Sequence, residues 1–349
     1  MKIALITGSC GLVGSESATF FSKKGFKIIG IDNNYRKVFF GKDGDISWLR
    51  NKLKKELKNY QHFNTDIRNF INLKKIFKKY KKNISLIIHA AAQPSHDWAK
   101  NKVFIDFDIN AKGTLNLLEL TRLYCPEAPF IFMSTNKVYG DNPNLLPLIE
   151  KKTRWEIKGN HKFKSGIDES MAIDNCTHSF FGASKSYADI IVQEYGKNIG
   201  LKTACFRAGC ITGPKHSGAK LHGFLSYLVK TSLQSKKYFL IGYKGKQVRD
   251  NIHSNDLVSC FWEYYKKPSY GEVFNMGGGK YSNCSIIEAL NMVENIAGIK
   301  IKKKILKQNR VGDHIWYISN TKKFKKKYPN WKQKFSTRKI ITELIDQFS

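Results

Sequence analysis

The stretch "ITGSCGLVG" sets Gly8, Gly11 and Gly14 in a G-x-x-G-x-x-G pattern, directly after an apolar run and at the start of a helical one. Without side chains at these positions, the backbone N–H groups around Gly8, Gly11, Leu12, Val13 and Gly14 can close on a pyrophosphate at a helix N-terminus. Asp32 follows 24 residues after Gly8, at the end of the next apolar run. A carboxylate there, with Asn33 beside it, can accept hydrogen bonds from an adenosine ribose. The pattern therefore predicts a dinucleotide site. Asp32 would repel a 2′-phosphate and points to NAD. Arg36 and Lys37 lie just beyond it and could receive that phosphate, so NAD and NADP both stay open. Asp66 and Ile67 in "NTDIRN" are placed for the adenine edge, with helix capping as the other reading of Asp66. Ala90, Ala91, Ala92 and Gln93 in "HAAAQ" offer small residues at a strand end where a cofactor can lie against the backbone.

The elements that must position these residues alternate along the first two hundred positions. "KIALIT" (2–7), "FKIIGID" (26–32), "LIIHAAA" (86–92), "PFIFMST" (129–135) and "KTACFRAG" (202–209) read as buried strands. "ATFFSKKG", "KGTLNLLELTRLY" and the segment after Lys185 read as the helices between them. Such alternation predicts an α/β fold, a doubly wound parallel sheet with ligands at the carboxyl ends of its strands. After residue 210 the pattern loosens into the helices "HGFLSYLVKTSLQ" and "SIIEALNMVENIAG" and the strands "KYFLIG" and "GEVFNMG". The expected organisation is a dinucleotide-binding domain over 1–209, rejoined by 250–279, and a smaller C-terminal substrate lobe from 210–249 and 280–349.

Composition narrows the function classes. The chain has 349 residues and 42% hydrophobic content, enough for one large domain or two closely joined ones. No apolar stretch approaches the ~20 residues that span a bilayer. The opening "MKIALITGSCGLVG" runs straight into a glycine turn without a convincing cleavage site, so it reads as a strand rather than a signal peptide. Seven scattered cysteines with no C-x-x-C pair argue against a zinc site or a disulfide framework and suit a reducing cytoplasm. The formal charge of +32 raises the question of nucleic acid. Only nine of the 60 basic residues are Arg, and the Lys are spread through "KKIFKKYKK", "IKKKILK" and "TKKFKKKYP". That is a solvated lysine surface, so neither a nucleic-acid nor a membrane partner is expected.

The motifs "TGSCGLVG", "HAAAQPS", "NAKGTLNLLE", "STNKVYGD", "GASK" and "RDNIHSNDL" occur in an order that resembles the extended short-chain dehydrogenase/reductase superfamily, the NAD-dependent epimerases and dehydratases of nucleotide-linked sugars. "STNKVYGD" and "GKQVRDNIH" look most like the CDP-tyvelose (CDP-paratose) 2-epimerases within it. The resemblance implies a CDP-linked sugar substrate, a role in surface polysaccharide synthesis, and a homodimer built through helices near 101–124 and 180–199. It implies that Thr135 hydrogen-bonds the reacting sugar oxygen and that Lys185 holds the nicotinamide ribose, while Asn110 supports the pocket. Arg249, assisted by Lys246 and Gln247, matches a contact to the nucleotide diphosphate. Arg310 and Asp313 match a second contact to phosphate and ribose; the alternative for these arginines is an internal ion pair, Arg249–Asp250 or Arg310–Asp313. Lys137 and, in "KHSGAKLHGF", His222 fall on the substrate wall.

The resemblance fails at one position. Phe181 stands four residues before Lys185, where the family has its acid/base Tyr. Phe has no proton to exchange, so another group must serve, or the reaction must need less help. Lys185, Thr135 and an ordered water could stabilise and protonate the alkoxide formed when a ketone is reduced. The expected activity is thus net reduction of a keto sugar with NADPH or NADH. The alternatives are 2-epimerisation with tightly bound NAD and a displaced acid/base group, and a non-catalytic nucleotide-sugar or NAD(P) binder. Among Lys137, Asp168, Glu169 and Tyr187, Glu169 in "GIDES" is the expected replacement, with a loop charge or helix cap as its structural reading.

Overall fold

A computed structural model describes residues 2–216, 223–306 and 312–349. Continuous apolar runs make its centre: β1 (Ile3–Thr7) is buried along its whole length, as parallel strands covered on both faces must be. It pairs in parallel with β2 (Lys27–Ile31), which pairs in parallel with β3 (Tyr60–Phe63). On its other side β1 pairs in parallel with β4 (Ile84–His89), and β4 with β5 (Phe130–Thr135). With β6 (Thr203–Ala208) and β7 (Glu272–Met276) the seven-stranded order is β7-β6-β5-β4-β1-β2-β3. The chain reverses direction across the sheet between β1 and β4, and in doubly wound sheets that switch point is where ligands bind.

Helices α1 (Leu12–Lys23), α2 (Phe70–Tyr80), α3 (His96–Asn101), α4 (Gly113–Tyr124) and α5 (Ser179–Lys197) follow or connect these strands. Leu73, Ile76 and Phe77 of α2 and Leu117, Leu118 and Leu120 of α4 pack with Leu5, Ile29, Ile87 and Phe132 of the sheet. Each such side chain contributes about 1.5–3 kcal/mol of burial. The turn before α4, Asp108–Lys112, is π-helical, a local distortion that often marks a functional position.

Two features depart from the sequence reading. Tyr60–Phe63, "YQHF", is a strand although no apolar run announces it: it lies at the sheet edge, half-buried throughout. The fourth strand stops at His89, so Ala90, Ala91 and Ala92 belong to the loop beyond it.

The chain divides into two compact units, residues 1–138, 180–207 and 258–274, and residues 139–179, 208–257 and 275–349. The second has its own core, in which Leu225, Leu228 and Val229 meet Ala289, Leu290 and Val293 and the C-terminal Ile340, Ile341 and Leu344. The helix Ile286–Ala297 starts with a reciprocal capping box between Ser285 and Glu288. In this unit the strand Val248–His253 pairs with Asn283–Ser285, Trp316–Tyr317 and Cys210–Thr212. No helix among the described residues is long and apolar enough to cross a membrane.

Candidate active site

The turn between β1 and α1 is shaped by its glycines. Gly8 has φ +66°, and a Cβ there would sit 2.7 Å from the Ala91 nitrogen and 2.8 Å from the Ala90 carbonyl carbon. The backbones of the first and fourth strand loops therefore touch at Gly8. A Cβ on Gly14 would run into the Gly8 carbonyl, so the helix start also needs glycine. No side chain caps α1 at Gly11, which leaves the first N–H groups, those of Leu12 and Val13 included, for an anion. Asp32, just past β2, accepts from the N–H of Cys10 at 2.9 Å and of Asn34 at 2.8 Å, which fixes its carboxylate beside the glycine turn. A pyrophosphate with an adjoining ribose fits this donor and acceptor set.

Asn33 donates to Asp66 at 2.9 Å, and Asp66 also accepts a two-point contact from Arg68 at 3.0 and 2.7 Å. Despite burial, these bonds hold the Asp66 carboxyl below its ordinary range. Ile67 turns its side chain into the core, where a Cβ on Gly113 would meet it at 2.6 Å, and its carbonyl accepts from Asn116. Arg36 lies over the Phe40 ring at 4.7 Å, and burial lowers its guanidinium to about 10.

Behind the glycine turn the hydrogen bonds fix a histidine tautomer. The Thr114 hydroxyl donates to the Asn110 carbonyl at 2.6 Å, so it must accept from Nε2–H of His89, 2.9 Å away. His89 Nδ1 then accepts the Thr7 hydroxyl proton at 2.7 Å, and the Thr7 oxygen accepts from the Ala91 N–H at 3.3 Å. Burial, reinforced by the Lys185 charge, drives the His89 pKa well below its ordinary value and keeps the ring neutral. The same region holds a buried network that joins Gln93 and Asn110 to two residues the sequence did not point to, Asp106 and Ser184. Asp106 accepts from Gln93 Nε2 at 2.6 Å, Ser184 Oγ at 2.6 Å and Asn110 Nδ2 at 3.1 Å. Asn110 in turn receives the Gln93 N–H at 2.9 Å and returns a bond to the Gln93 carbonyl at 3.1 Å.

On α5 the four-residue spacing puts Phe181, Lys185 and Asp189 on one face, and all three are buried. That face follows the end of β5. Lys185 Nζ donates to the Met133 carbonyl at 2.7 Å and lies over the Phe132 ring at 4.0 Å. Ser134 donates to Asp189 at 2.5 Å, and Arg207 forks onto the same carboxylate at 3.1 and 2.7 Å. Burial lowers the Lys185 pKa from 10.5 to about 7, with Asp189, Cys205 and Asp106 pulling it back up. Thr135 closes β5, its hydroxyl accepting from the N–H of Lys137 at 3.2 Å. The Phe181 ring is 6% exposed and meets the His96 imidazole edge-to-face, ring centres 4.9 Å apart.

Glu169, the expected replacement for the phenol, lies in the second unit and accepts from the Asn275 N–H at 2.6 Å. Burial raises the Glu169 pKa. Asp168 caps its own turn, accepting from the N–H and hydroxyl of Ser170. Tyr187 is on another face of α5, near Phe107. In the second unit Arg249 is 7% exposed and pairs with Asp313, a pairing the sequence reading did not include among its ion pairs. Its other terminal nitrogen donates to the Val248 carbonyl at 2.8 Å. Lys246 pairs with Glu150 at 2.7 Å. Gln247 donates to Ile241, and its buried Oε1 has no hydrogen-bond partner among the described residues. His222 and Arg310 lie outside the described residues.

Residues 4–277 match the NAD dependent epimerase/dehydratase family. The chain belongs to that family. CDP-paratose 2-epimerase of Salmonella typhi is 31% identical across 99% of this chain and 98% of its own length. UDP-glucuronate 4-epimerase of Thermodesulfobacterium geofontis is 26% identical across 99% and 96%. Among solved structures, a mutant UDP-glucuronic acid 4-epimerase from Bacillus cereus, in complex with UDP-4-deoxy-4-fluoro-glucuronic acid and NAD, superposes with a TM-score of 0.80. It is 22% identical, covers 99% of this chain and 98% of its own, and so speaks to the fold alone.

Within this epimerase/dehydratase chain, the residues missed by sequence reading are the ones whose partners are distant. Asp106 and Ser184 sit 78 positions apart. The signal available was the helical spacing of Phe181 and Ser184, three apart, which puts any group bonded to Ser184 next to the Phe181 turn.

Proposed function

We propose that this chain is an NAD-dependent 2-epimerase of a CDP-linked deoxysugar. The observation that carries the reading is the 31% identity to CDP-paratose 2-epimerase over 99% of the chain. The uncapped α1 start, the Gly8–Ala91 contact and the fixed Asp32 carboxylate support NAD as the cofactor. Asp32 would sit where NADP carries its extra phosphate, which disfavours NADP. Net reduction, the expectation drawn from Phe181, gives way to epimerisation, because the curated relatives named above are epimerases.

When bound, NAD supplies a hydride acceptor that later returns the hydride. The chain's own residues do the rest. Gly8, Gly11, Leu12, Val13 and Gly14 hold the pyrophosphate, and Asp32 and Asn33 the ribose. Lys185 holds the nicotinamide ribose, and its charge stabilises a developing alkoxide. The Thr135 hydroxyl orients the reacting sugar oxygen. Arg249 and Asp313 bind the phosphate and ribose of the CDP group, with Lys246 and Gln247 beside them. Exposed Phe104, Phe107 and Leu123, together with Phe180 and Ile190 of α5, give the apolar surface through which a homodimer forms. The enzyme works in the cytoplasm, supplying sugars for surface polysaccharide.

The test is incubation of purified protein with CDP-paratose, followed by proton NMR at the sugar C2 position. The expected result is conversion to the 2-epimer, CDP-tyvelose, with no net change in absorbance at 340 nm. Stoichiometric consumption of reduced cofactor would show a reductase instead.

A further inference from the structure

We propose that His96 is the acid/base group of this enzyme, taking the part that the ring of Phe181 cannot. The inference rests on the reading of the chain as a hydride-transferring epimerase and names the residue that handles its proton.

The geometry comes from three sides. Phe181 lies one helical turn before Lys185, and both are on the buried face of α5. The ring packed against Phe181 is the His96 imidazole, 4.9 Å from centre to centre at an interplanar angle of 71°. His96 opens α3, in the loop that leaves β4 beside the Ala91 contact to Gly8. It is half-buried, so a ligand can reach it.

Its position is held by more than that one contact. Ser95, the cap of α3, donates its N–H to Gln93 Oε1 at 2.5 Å. Gln93 Nε2 donates to Asp106, and Asp106 accepts from Ser184, whose hydroxyl also lies 3.1 Å from the Phe181 carbonyl. One buried network therefore holds both the loop carrying His96 and the helix turn carrying Phe181. Rigid support of this kind is what a proton-transfer group needs, and a surface histidine has no use for it.

The chemistry balances with the cofactor already named. As the carbinol C–H passes its hydride to NAD⁺, the O–H proton passes to an unprotonated ring nitrogen of His96, leaving ketone, NADH and imidazolium. Return of the hydride to the other face of the ketone draws the proton back from the imidazolium. An imidazole exchanges protons near neutral pH, so it needs no neighbouring cation to lower its pKa as a phenol does.

The experiment compares wild-type holoenzyme with His96→Gln, Phe181→Tyr and the double variant on CDP-paratose, UDP-glucose and dTDP-glucose. His96→Gln should lower kcat ~10²–10⁴-fold, the usual worth of general acid–base catalysis, with little change in KM. Adding Phe181→Tyr to it should restore at least tenfold, because a phenol beside Lys185 can do the same work. A packing role for His96 predicts no such rescue. Carbethoxylation with diethyl pyrocarbonate, mapped to His96 by mass spectrometry, repeats the test on protein whose fold is intact: wild type should lose turnover while Phe181→Tyr keeps it. An unchanged kcat in His96→Gln overturns the assignment, as does absence of rescue in the folded double variant, or equal inactivation of both modified proteins. Turnover of UDP-glucose or dTDP-glucose alone, with the same dependence on His96, upholds the assignment and refutes the CDP reading. No hydride chemistry on any of the three overturns both.

Discussion

Replacing Lys185 by Met should stabilise the cofactor-free protein, and by an amount that depends on pH. The ammonium is fully buried, and burial brings its pKa from 10.5 to about 7 even with Asp189, Cys205 and Asp106 nearby. At ~1.4 kcal/mol per pH unit, the fall corresponds to roughly 5 kcal/mol. Between pH 7 and 10.5 the unfolded chain binds the proton that the folded chain has released, so stability rises with pH across that window. Below pH 7 the lysine is charged in both states and the whole penalty stands.

Methionine has similar length and no charge, so the variant escapes the penalty at every pH. It loses the 2.7 Å bond to the Met133 carbonyl, worth about 1 kcal/mol. The net gain should be about 4 kcal/mol at pH 6, shrinking by ~1.4 kcal/mol per unit above pH 7 and vanishing by about pH 10. Urea unfolding of nucleotide-stripped wild type and variant at pH 6, 7, 8 and 9 measures this directly. A difference that does not change with pH, or a variant less stable at pH 6, refutes the reasoning. The same variant should retain less NAD, since the amine that costs stability in the free protein is the one assigned to the nicotinamide ribose.

Asp189→Asn should cost about 3–5 kcal/mol in urea unfolding, because it leaves the buried Arg207 guanidinium without its carboxylate. Gly14→Ala should abolish retention of NAD, read from the absorbance of protein-bound nucleotide, since the new Cβ collides with the Gly8 carbonyl. Arg249→Gln should raise KM for the CDP-sugar at least tenfold, as loss of a charge-assisted contact does, while bound NAD stays constant. Ile190→Glu should convert a dimer to a monomer in light scattering, as the side chain is exposed on α5 in the free chain.

What could be read from the sequence was whatever repeats locally. The β1 run and its glycines carry their reason on the page: a strand buried on both faces is apolar throughout, and only glycine lets Gly8 and Ala91 touch. The edge strand Tyr60–Phe63 was illegible because one side of it faces no neighbouring strand, and half-buried positions tolerate Gln and His. "LIIHAAA" looked like one strand because alanine suits both a strand and a close-packed loop; the β4 ladder ends at His89.

The same division runs through the candidate site. The four-residue step from Phe181 to Lys185 could be read directly, because helix geometry turns spacing into a shared face. What packs against that face could not, since the His96 ring arrives from a different strand loop, and a lone histidine in "QPSHDW" carries no spacing signal. Glu169 was the carboxylate candidate in the sequence because the family resemblance brings its loop toward the sugar; in the structure its Oε1 accepts the Asn275 N–H. A lost hydroxyl is therefore best sought across its own ring, in whatever side chain the fold has brought into van der Waals contact with the substitute. Sequence distance is no guide to that neighbour, and here the contact is made by a side chain whose ordinary chemistry is proton exchange near neutral pH.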